Sequence, residues 1–163
     1  MTDKTTKYSC VADAFHCDFQ HQLCIAHLGN SMLNAADIHS TTRNFGMTYL
    51  NTINKTWVLS RFAIELNDMP KEHDDFVIET WVENAMKYFT RRNWKMYSPD
   101  GSKVYGYGKS IWAMIDTVTR EPQDILAIND GKIKEYIYPE KECAMKDVSR
   151  VTTPPMTDYT EFK

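Results

Sequence analysis

The pattern of apolar and polar positions predicts one long helix, and the rest of the chain is expected to pack around it. Between Cys24 and Gly46 apolar residues recur at steps of three and four, which places them on one helical face. That face comprises Ile25, Leu28, Met32, Ala36 and His39, and it is widened by Leu33 and Ala35. We expect Gly46 to end the helix in a left-handed conformation.

Segments with period-two alternation predict strands on both sides of this helix. A first strand is predicted at residues 8–15, before the helix, and a loop at residues 47–55 after it. Four further strands are predicted at residues 56–66, 76–84, 87–97 and 102–116. Segment 56–66 carries apolar residues on both faces, which favours a central strand. Residues 98–101, Ser-Pro-Asp-Gly, predict a tight turn between the last two strands.

The order of these elements predicts an α+β domain. Short connections between the later strands favour antiparallel neighbours. An antiparallel sheet curved around one long central helix is the hotdog fold, with other α+β sandwiches that carry one helix on a sheet as the alternative. We expect the hotdog domain to comprise residues 1–150. Adjacent prolines at 154 and 155 indicate a linker, so residues 151–163 are interpreted as a linker and the start of a missing second hotdog domain.

Composition narrows the class of protein. The 163 residues are 42% hydrophobic and 25% charged, which is typical of one soluble globular domain. A formal net charge of -3 argues against a partner such as nucleic acid. No apolar run is long enough to cross a bilayer, and the first residues lack the apolar core of a signal peptide. We therefore expect a cytoplasmic protein without a membrane span.

Histidines and cysteines cluster around the predicted helix start. The cluster comprises His16, Cys17, His21, Cys24 and His27. A metal site is one interpretation, but neither a Cys-x-x-Cys nor a His-x-x-x-His pair is present. Because these residues span a strand end, a loop and a helix start, we expect their side chains to diverge. The prediction is that the chain holds no metal and no cofactor.

Several short motifs follow one another along the chain, each occurring once. They are Asn34, His39, Gly46, residues 57–61 (WVLSR), 69–70 (MP), 79–81 (ETW), 91–94 (RRNW), 110–116 (SIWAMID) and 119–122 (TREP). Together they resemble the bacterial acyl-acyl-carrier-protein thioesterases over roughly residues 8–150. That family is built from two tandem hotdog domains, and this chain resembles the first of them.

The resemblance implies hydrolysis of the thioester between a fatty acyl chain and the phosphopantetheine arm of acyl carrier protein. In the full-length family the catalytic Asp-x-Asn-x-His motif lies in the second domain. The corresponding residues here are Asp18, Gln20 and Gln22. Glutamine takes no proton at neutral pH and cannot replace a general base. We therefore expect no catalytic residue in this half, with Asp18 and His21 as weak candidates.

An apolar slot for the acyl chain is the stronger candidate site. Its predicted lining is Met32, Leu33, Ala36, Trp57, Leu59, Trp112 and Met114. The alternative is that these residues pack only against each other as core. In a hotdog domain both can hold, since an alkyl chain can slide between helix and sheet. His39, on the apolar helix face, is expected to be a buried, hydrogen-bonded histidine.

A basic cluster on one predicted strand and its turn is the second candidate site. It comprises Lys87, Arg91, Arg92 and Lys95. Carrier proteins are acidic, so docking there is one expectation, and a solvated or salt-bridged strand face is the alternative.

The sequence is compatible with three functions. The chain is the acyl-binding half of an acyl-carrier-protein thioesterase, or a homodimer that uses Asp18 or His21 for hydrolysis, or a non-catalytic acyl-binding module. Hotdog domains pair through sheet edges, and we expect the last long strand to extend the sheet across a two-fold axis.

Overall fold

The computed structural model describes residues 3–149, and in it five strands surround one long helix. The elements are β1 (Thr5–Val11), α1 (Ile25–Thr41), α2 (Met47–Asn51), β2 (Lys55–Leu66), β3 (Asp75–Ala85), β4 (Phe89–Tyr97) and β5 (Val104–Asp116), with 3-10 turns at Ala14–His16 and Ile128–Tyr136. This is the predicted order of elements. None of the helices in this part of the chain is long and apolar enough to cross a membrane. The predicted linker at residues 151–163 lies outside the described residues.

The five strands form a single antiparallel sheet in the order β1-β3-β4-β5-β2. The prediction that residues 56–66 form a central strand is therefore wrong, because β2 lies at an edge. The last long strand is also not an edge, since β5 lies between β4 and β2. The free edges belong to β1 and β2, so any pairing with a second sheet has to use one of them.

A β-bulge explains why β2 had the pattern of a central strand. Ser60 has no partner in the register between β2 and β5, whereas Trp57 pairs with Met114 and Phe62 pairs with Ser110. The two partners are four residues apart on β5, so Trp57 and Phe62 face the same side of the sheet. The extra residue shifts the alternation of side chains along β2 by one position. Apolar residues before and after Ser60, which a regular strand would place on opposite faces, therefore share one face of the sheet.

The connection between β2 and β3 crosses one end of the sheet. Consecutive strands were predicted to be neighbours, but β5 and β4 separate these two. Within the connection, residues 67–74, the Asn67 N–H donates to the Tyr105 carbonyl at 2.8 Å. Further along it, the Leu23 N–H donates to the Pro70 carbonyl at 3.0 Å. Through this connection, the two bonds tie the segment before α1 to the start of β5.

The end of α1 differs from the prediction. The helix ends at Thr41, and Asn44 takes the left-handed conformation with φ 59. Gly46 has φ -88 and caps α2, which occupies part of the predicted loop at residues 47–55. Asparagine tolerates the left-handed region better than most residues, which removes the need for glycine at the turn. Gly46 is instead required by space, because a Cβ there would overlap the backbone of Thr41.

The buried face of α1 packs tightly against the sheet over its first half. The helix residues that are buried are Leu28, Met32, Ala35, Ala36, His39 and Ser40. The Trp94 Nε1–H of β4 donates to the Met32 carbonyl at 2.9 Å, and a Cβ at Gly108 of β5 would overlap the Met32 terminal methyl. Ile25, predicted on this face, is 58% exposed because the first turn starts outside the sheet. Because Met32 of α1 and Gly108 of β5 are in close contact, helix and sheet leave no gap at this point.

The segment after the 3-10 turn covers the outer face of the sheet, the face away from α1. Lys141 Nζ lies 3.2 Å from the Glu79 carboxylate, and Asp147 lies 3.2 Å from Arg91 Nη1. Asn93 of β4 is buried on this covered face. The segment at residues 138–149 is thus held by ion pairs that a periodicity argument does not detect.

Candidate functional site

An apolar cavity lies between the second half of α1 and the inner face of the sheet. Its empty volume is about 540 Å³, including space open to solvent. The lining residues are Leu33, Ala36, Asp37, Ser40, Phe45, Met47, Trp57, Val82, Thr90, Arg92, Trp112 and Ile133. Helix, sheet, α2 and the C-terminal 3-10 turn all contribute, so the site requires most of the fold.

The structure brings together part of the predicted acyl-binding set. Four of its seven members line the cavity, namely Leu33, Ala36, Trp57 and Trp112. Met32 and Met114 are fully buried and pack within the two core clusters instead. Leu59 is half-buried and lies opposite Trp112 in the β2–β5 register. Acyl binding by the four lining residues stays a prediction, whereas Met32 and Met114 have the alternative role of core residues.

Polar side chains in the cavity wall were missed by the sequence reasoning. They are Asp37, Ser40, Thr90 and Arg92. The signal for two of them was present, because Thr90 and Arg92 lie four and two residues before the buried Trp94 on β4 and so share its face. Consequently the cavity is apolar around its aromatic end and carries one cationic group in its wall.

Arg92 is buried at the inner face, with only 6% of the residue exposed. Its Nη1–H donates to Thr80 Oγ1 at 3.1 Å, and its Nη2–H donates to His39 Nδ1 at 3.3 Å. Burial, with a smaller effect of the Arg43 cation, lowers the pKa of Arg92 to about 9, so it is charged at neutral pH. This burial corrects the prediction that Arg92 belongs to an exposed docking surface.

His39 is fully buried beside Arg92 and is held in one tautomer. Its Nε2–H donates to the Lys4 carbonyl at 3.2 Å, which leaves Nδ1 as the acceptor for Arg92. Burial and the cations of Arg92 and Arg43 lower the pKa of His39 to about 2. The imidazole is therefore neutral at pH 7, and it is the buried, hydrogen-bonded histidine that the sequence predicted.

The weak catalytic candidates lie at the opposite end of α1. The Asp18 carboxylate accepts hydrogen bonds from two backbone N–H groups of its own loop, at 2.8 and 3.1 Å. His21 Nδ1 is hydrogen-bonded to the Glu72 carboxylate, and the His21 side chain is largely exposed. From the helix start at Ile25 to the cavity residue Ala36 is roughly 16 Å along the axis. Neither candidate faces the cavity.

The histidines and cysteines near the helix start do not assemble into a metal site among residues 3–149. The rings of His16 and His27 stack with centroids 4.2 Å apart. No group of three or more His, Cys, Asp or Glu side chains in this range is arranged to hold a metal ion. The four cysteines are free thiols.

The remaining basic cluster is divided between a turn and the outer face of β4. Lys87 lies in the turn before β4, whereas Arg91 and Lys95 alternate with the inward-facing Arg92. Arg91 forms an ion pair with Asp147 at 3.2 Å. This pair agrees with the alternative of a salt-bridged strand face.

Comparison with known proteins identifies a family model that matches most of this chain. Residues 4–130 match the family model described as the acyl-ACP thioesterase N-terminal domain. The oleoyl-acyl carrier protein thioesterase 1 of Arabidopsis thaliana is 29% identical over 105 residues, which cover 64% of this chain and 28% of that protein. The chain thus spans less than a third of the length of this relative.

Two solved structures share the fold. An acyl-ACP thioesterase from Bacteroides thetaiotaomicron superposes with a TM-score of 0.85 at 42% identity, covering 93% of this chain and 60% of that one. The 12:0-ACP thioesterase from Umbellularia californica, at 16% identity, has a TM-score of 0.81 over 96% of this chain and 63% of that one. The predicted hotdog fold is confirmed. The chain belongs to the acyl-ACP thioesterase family, of which it forms the N-terminal domain.

Proposed function

We propose that this chain is the acyl-binding half of an enzyme that hydrolyses fatty acyl thioesters of acyl carrier protein. The observation that carries the proposal is the cavity between α1 and the sheet. Leu33, Ala36, Trp57 and Trp112 give it an apolar wall suited to an alkyl chain. The small side chain of Ala36 leaves the space open. The relatives named as acyl carrier protein thioesterases support the substrate class.

The chemistry of hydrolysis is assigned to residues outside this domain. Attack of water on a thioester needs a general base and donors for the oxyanion, both placed at the reacting carbon. Gln22 occupies the position where the family resemblance implies histidine. The hydrogen-bonded pair of His21 and Glu72 is exposed and lies at the far end of α1 from the cavity.

Hydrolysis and binding by this chain alone distinguish the homodimeric hydrolase from the two functions in which the chain only binds acyl groups. We expect the 163-residue chain to bind dodecanoyl-acyl carrier protein without accelerating its hydrolysis, because Gln22 stands where the family resemblance implies the catalytic histidine. Calorimetry measures the binding, and a thiol-release assay measures the turnover. Turnover that is lost in His21→Ala would establish the homodimeric hydrolase instead. Absence of binding would contradict the proposal and the alternative of a non-catalytic acyl-binding module alike.

We further propose that Lys87, Arg91 and Lys95 dock the acidic carrier protein. Replacing Lys87 and Lys95 by glutamate leaves the Arg91–Asp147 ion pair in place. We expect this double variant to bind acyl carrier protein roughly tenfold more weakly at low ionic strength, because attraction becomes repulsion. The difference should shrink in about 0.5 M salt, where surface charges are screened.

The matched control for docking is Lys71→Glu. Lys71 is exposed in the connection that crosses the end of the sheet. If Lys71→Glu weakens binding as much as the double variant does, net charge rather than a docking surface determines the affinity. Equal affinity of the double variant and the wild type at low salt would remove the proposed surface.

A homodimer through sheet edges is part of the proposal, with β2 in place of β5. The edge strand β2 is 12 residues long, and its outer side has no neighbouring strand in the sheet. Long free edges invite pairing with another strand. A monomeric mass by sedimentation at micromolar concentration would exclude this pairing between copies of the chain.

A further inference from the structure

The position of Arg92 is unusual for a cation. It is buried in the wall of a largely apolar cavity, and buried guanidinium groups are normally paired with a carboxylate. Among residues 3–149 no carboxylate lies within 4 Å of it as an ion-pair partner. The Arg43 cation lies near enough to lower the pKa of Arg92 further. The cavity wall therefore contains a cation with which no carboxylate among residues 3–149 pairs directly.

The remaining hydrogen-bond donors of Arg92 have no protein partner among the described residues. A guanidinium carries five N–H donors, and the contacts with Thr80 and His39 use one on each terminal nitrogen. Asp37 is the one acidic side chain of the cavity wall, and its carboxylate accepts a hydrogen bond from Thr41 Oγ1 at 3.2 Å. The neighbouring wall residues Thr90 and Ser40 add hydroxyl groups beside the cation.

We propose that the cavity binds free fatty carboxylates, with the carboxylate on the Arg92 guanidinium and the alkyl chain against Leu33, Trp57 and Trp112. A planar guanidinium matches the two oxygens of a carboxylate in a charge-assisted, two-point contact. An acyl thioester is uncharged at its carbonyl and cannot form this contact. Free acid therefore competes with acyl groups for the cavity, and it does so whether or not this chain takes part in hydrolysis.

Binding of matched ten-carbon ligands tests this role of Arg92. Decanoate, decanol and methyl decanoate each contain an unbranched ten-carbon chain, and only decanoate carries a charge at its end. We expect the 163-residue chain to bind decanoate at least roughly tenfold more tightly than decanol or the methyl ester at pH 7, as measured by calorimetry below the micellar concentration. The variant Arg92→Met keeps the apolar stem and should lose that preference while its affinity for decanol changes little.

Two further variants make the result decisive. Lys71→Met removes an exposed cation outside the cavity and should leave the preference unchanged. Arg92→Lys keeps the positive charge but not the planar guanidinium that makes the two-point contact, so it should retain part of the preference. If Arg92→Met does not fold, the ligand comparison on the wild type still decides, because equal affinity for decanoate and decanol overturns the inference. An unchanged preference in folded Arg92→Met, or no binding of any of the three ligands, also overturns it.

The outcome is separable from that of the proposed function. Binding of dodecanoyl-acyl carrier protein without a preference for decanoate over decanol would refute the role of Arg92 only. A preference for decanoate in a chain that does not bind the acyl carrier protein would refute the proposed function only.

Discussion

Replacing Ala36 by tryptophan is expected to abolish binding of acyl chains to this domain. Ala36 is buried on α1 and faces the cavity that Trp57 and Trp112 line from the sheet. An indole at this position fills the space that an alkyl chain would occupy, because the surrounding wall is packed and cannot retreat. Calorimetry with decanoyl-pantetheine should show binding by the wild type and none by Ala36→Trp. The smaller Ala36→Leu should shorten the longest acyl chain that is bound, and the preferred chain length of a full-length enzyme.

The matched control is Asn34→Trp on the exposed face of the same helix. It adds the same indole without entering the cavity, so its affinity should equal that of the wild type. Near-ultraviolet circular dichroism and a thermal melt establish that both variants fold. A folded Ala36→Trp protein with the affinity of the wild type, and an unchanged chain-length profile in Ala36→Leu, would show that acyl chains bind elsewhere.

Acid is expected to destabilise the fold through His39. The pKa of His39 is lowered to about 2 in the folded state, by burial first and then by Arg92 and Arg43. In the unfolded chain the imidazole has its ordinary pKa of about 6.5. Below that pH the unfolded state binds a proton that the folded state does not, so the free energy of unfolding falls as pH falls. Between pH 6.5 and 4.5 the loss attributable to His39 is up to about 2.5 kcal/mol.

The variant His39→Gln isolates this contribution, because glutamine stays neutral over the whole range. Several carboxylates with lowered pKa, those of Asp68, Asp100, Asp116 and Asp147, also lose favourable interactions in acid. They are present in both proteins and cancel in the difference. Urea unfolding from pH 7 to 4.5 should therefore show a steeper decline for the wild type than for His39→Gln. Parallel curves would mean that His39 is not held neutral.

The sequence predicted the elements whose signals are local. The helix was found from the spacing of Leu28, Met32 and Ala36, and the β4–β5 turn from its proline and glycine. The edge position of β2 was missed because one extra residue, Ser60, changes which face the flanking apolar residues share. When both faces of a strand carry apolar residues, a bulge does not change the pattern of apolar and polar positions, so the sequence does not reveal it.

The candidate site was predicted in part for a similar reason. Apolar residues of α1 and the strands were placed around a slot, and four of them line the cavity. Arg91 and Arg92 were grouped as one basic cluster because they are adjacent, whereas strand alternation turns them to opposite faces. Ile133 closes the cavity from a 3-10 turn that has no periodic pattern at all. Such contributions depend on tertiary packing and cannot be obtained from local sequence.

The central claim is that an acyl chain occupies the space between α1 and the curved sheet. A crystal of the chain with a decanoyl-pantetheine thioester brominated at the end of its alkyl chain locates that end directly by anomalous scattering. We predict a bromine peak inside the cavity, in contact with Leu33, Trp57 or Trp112. A bromine peak on the outer face of the sheet, or an empty cavity under saturating ligand, would contradict the claim.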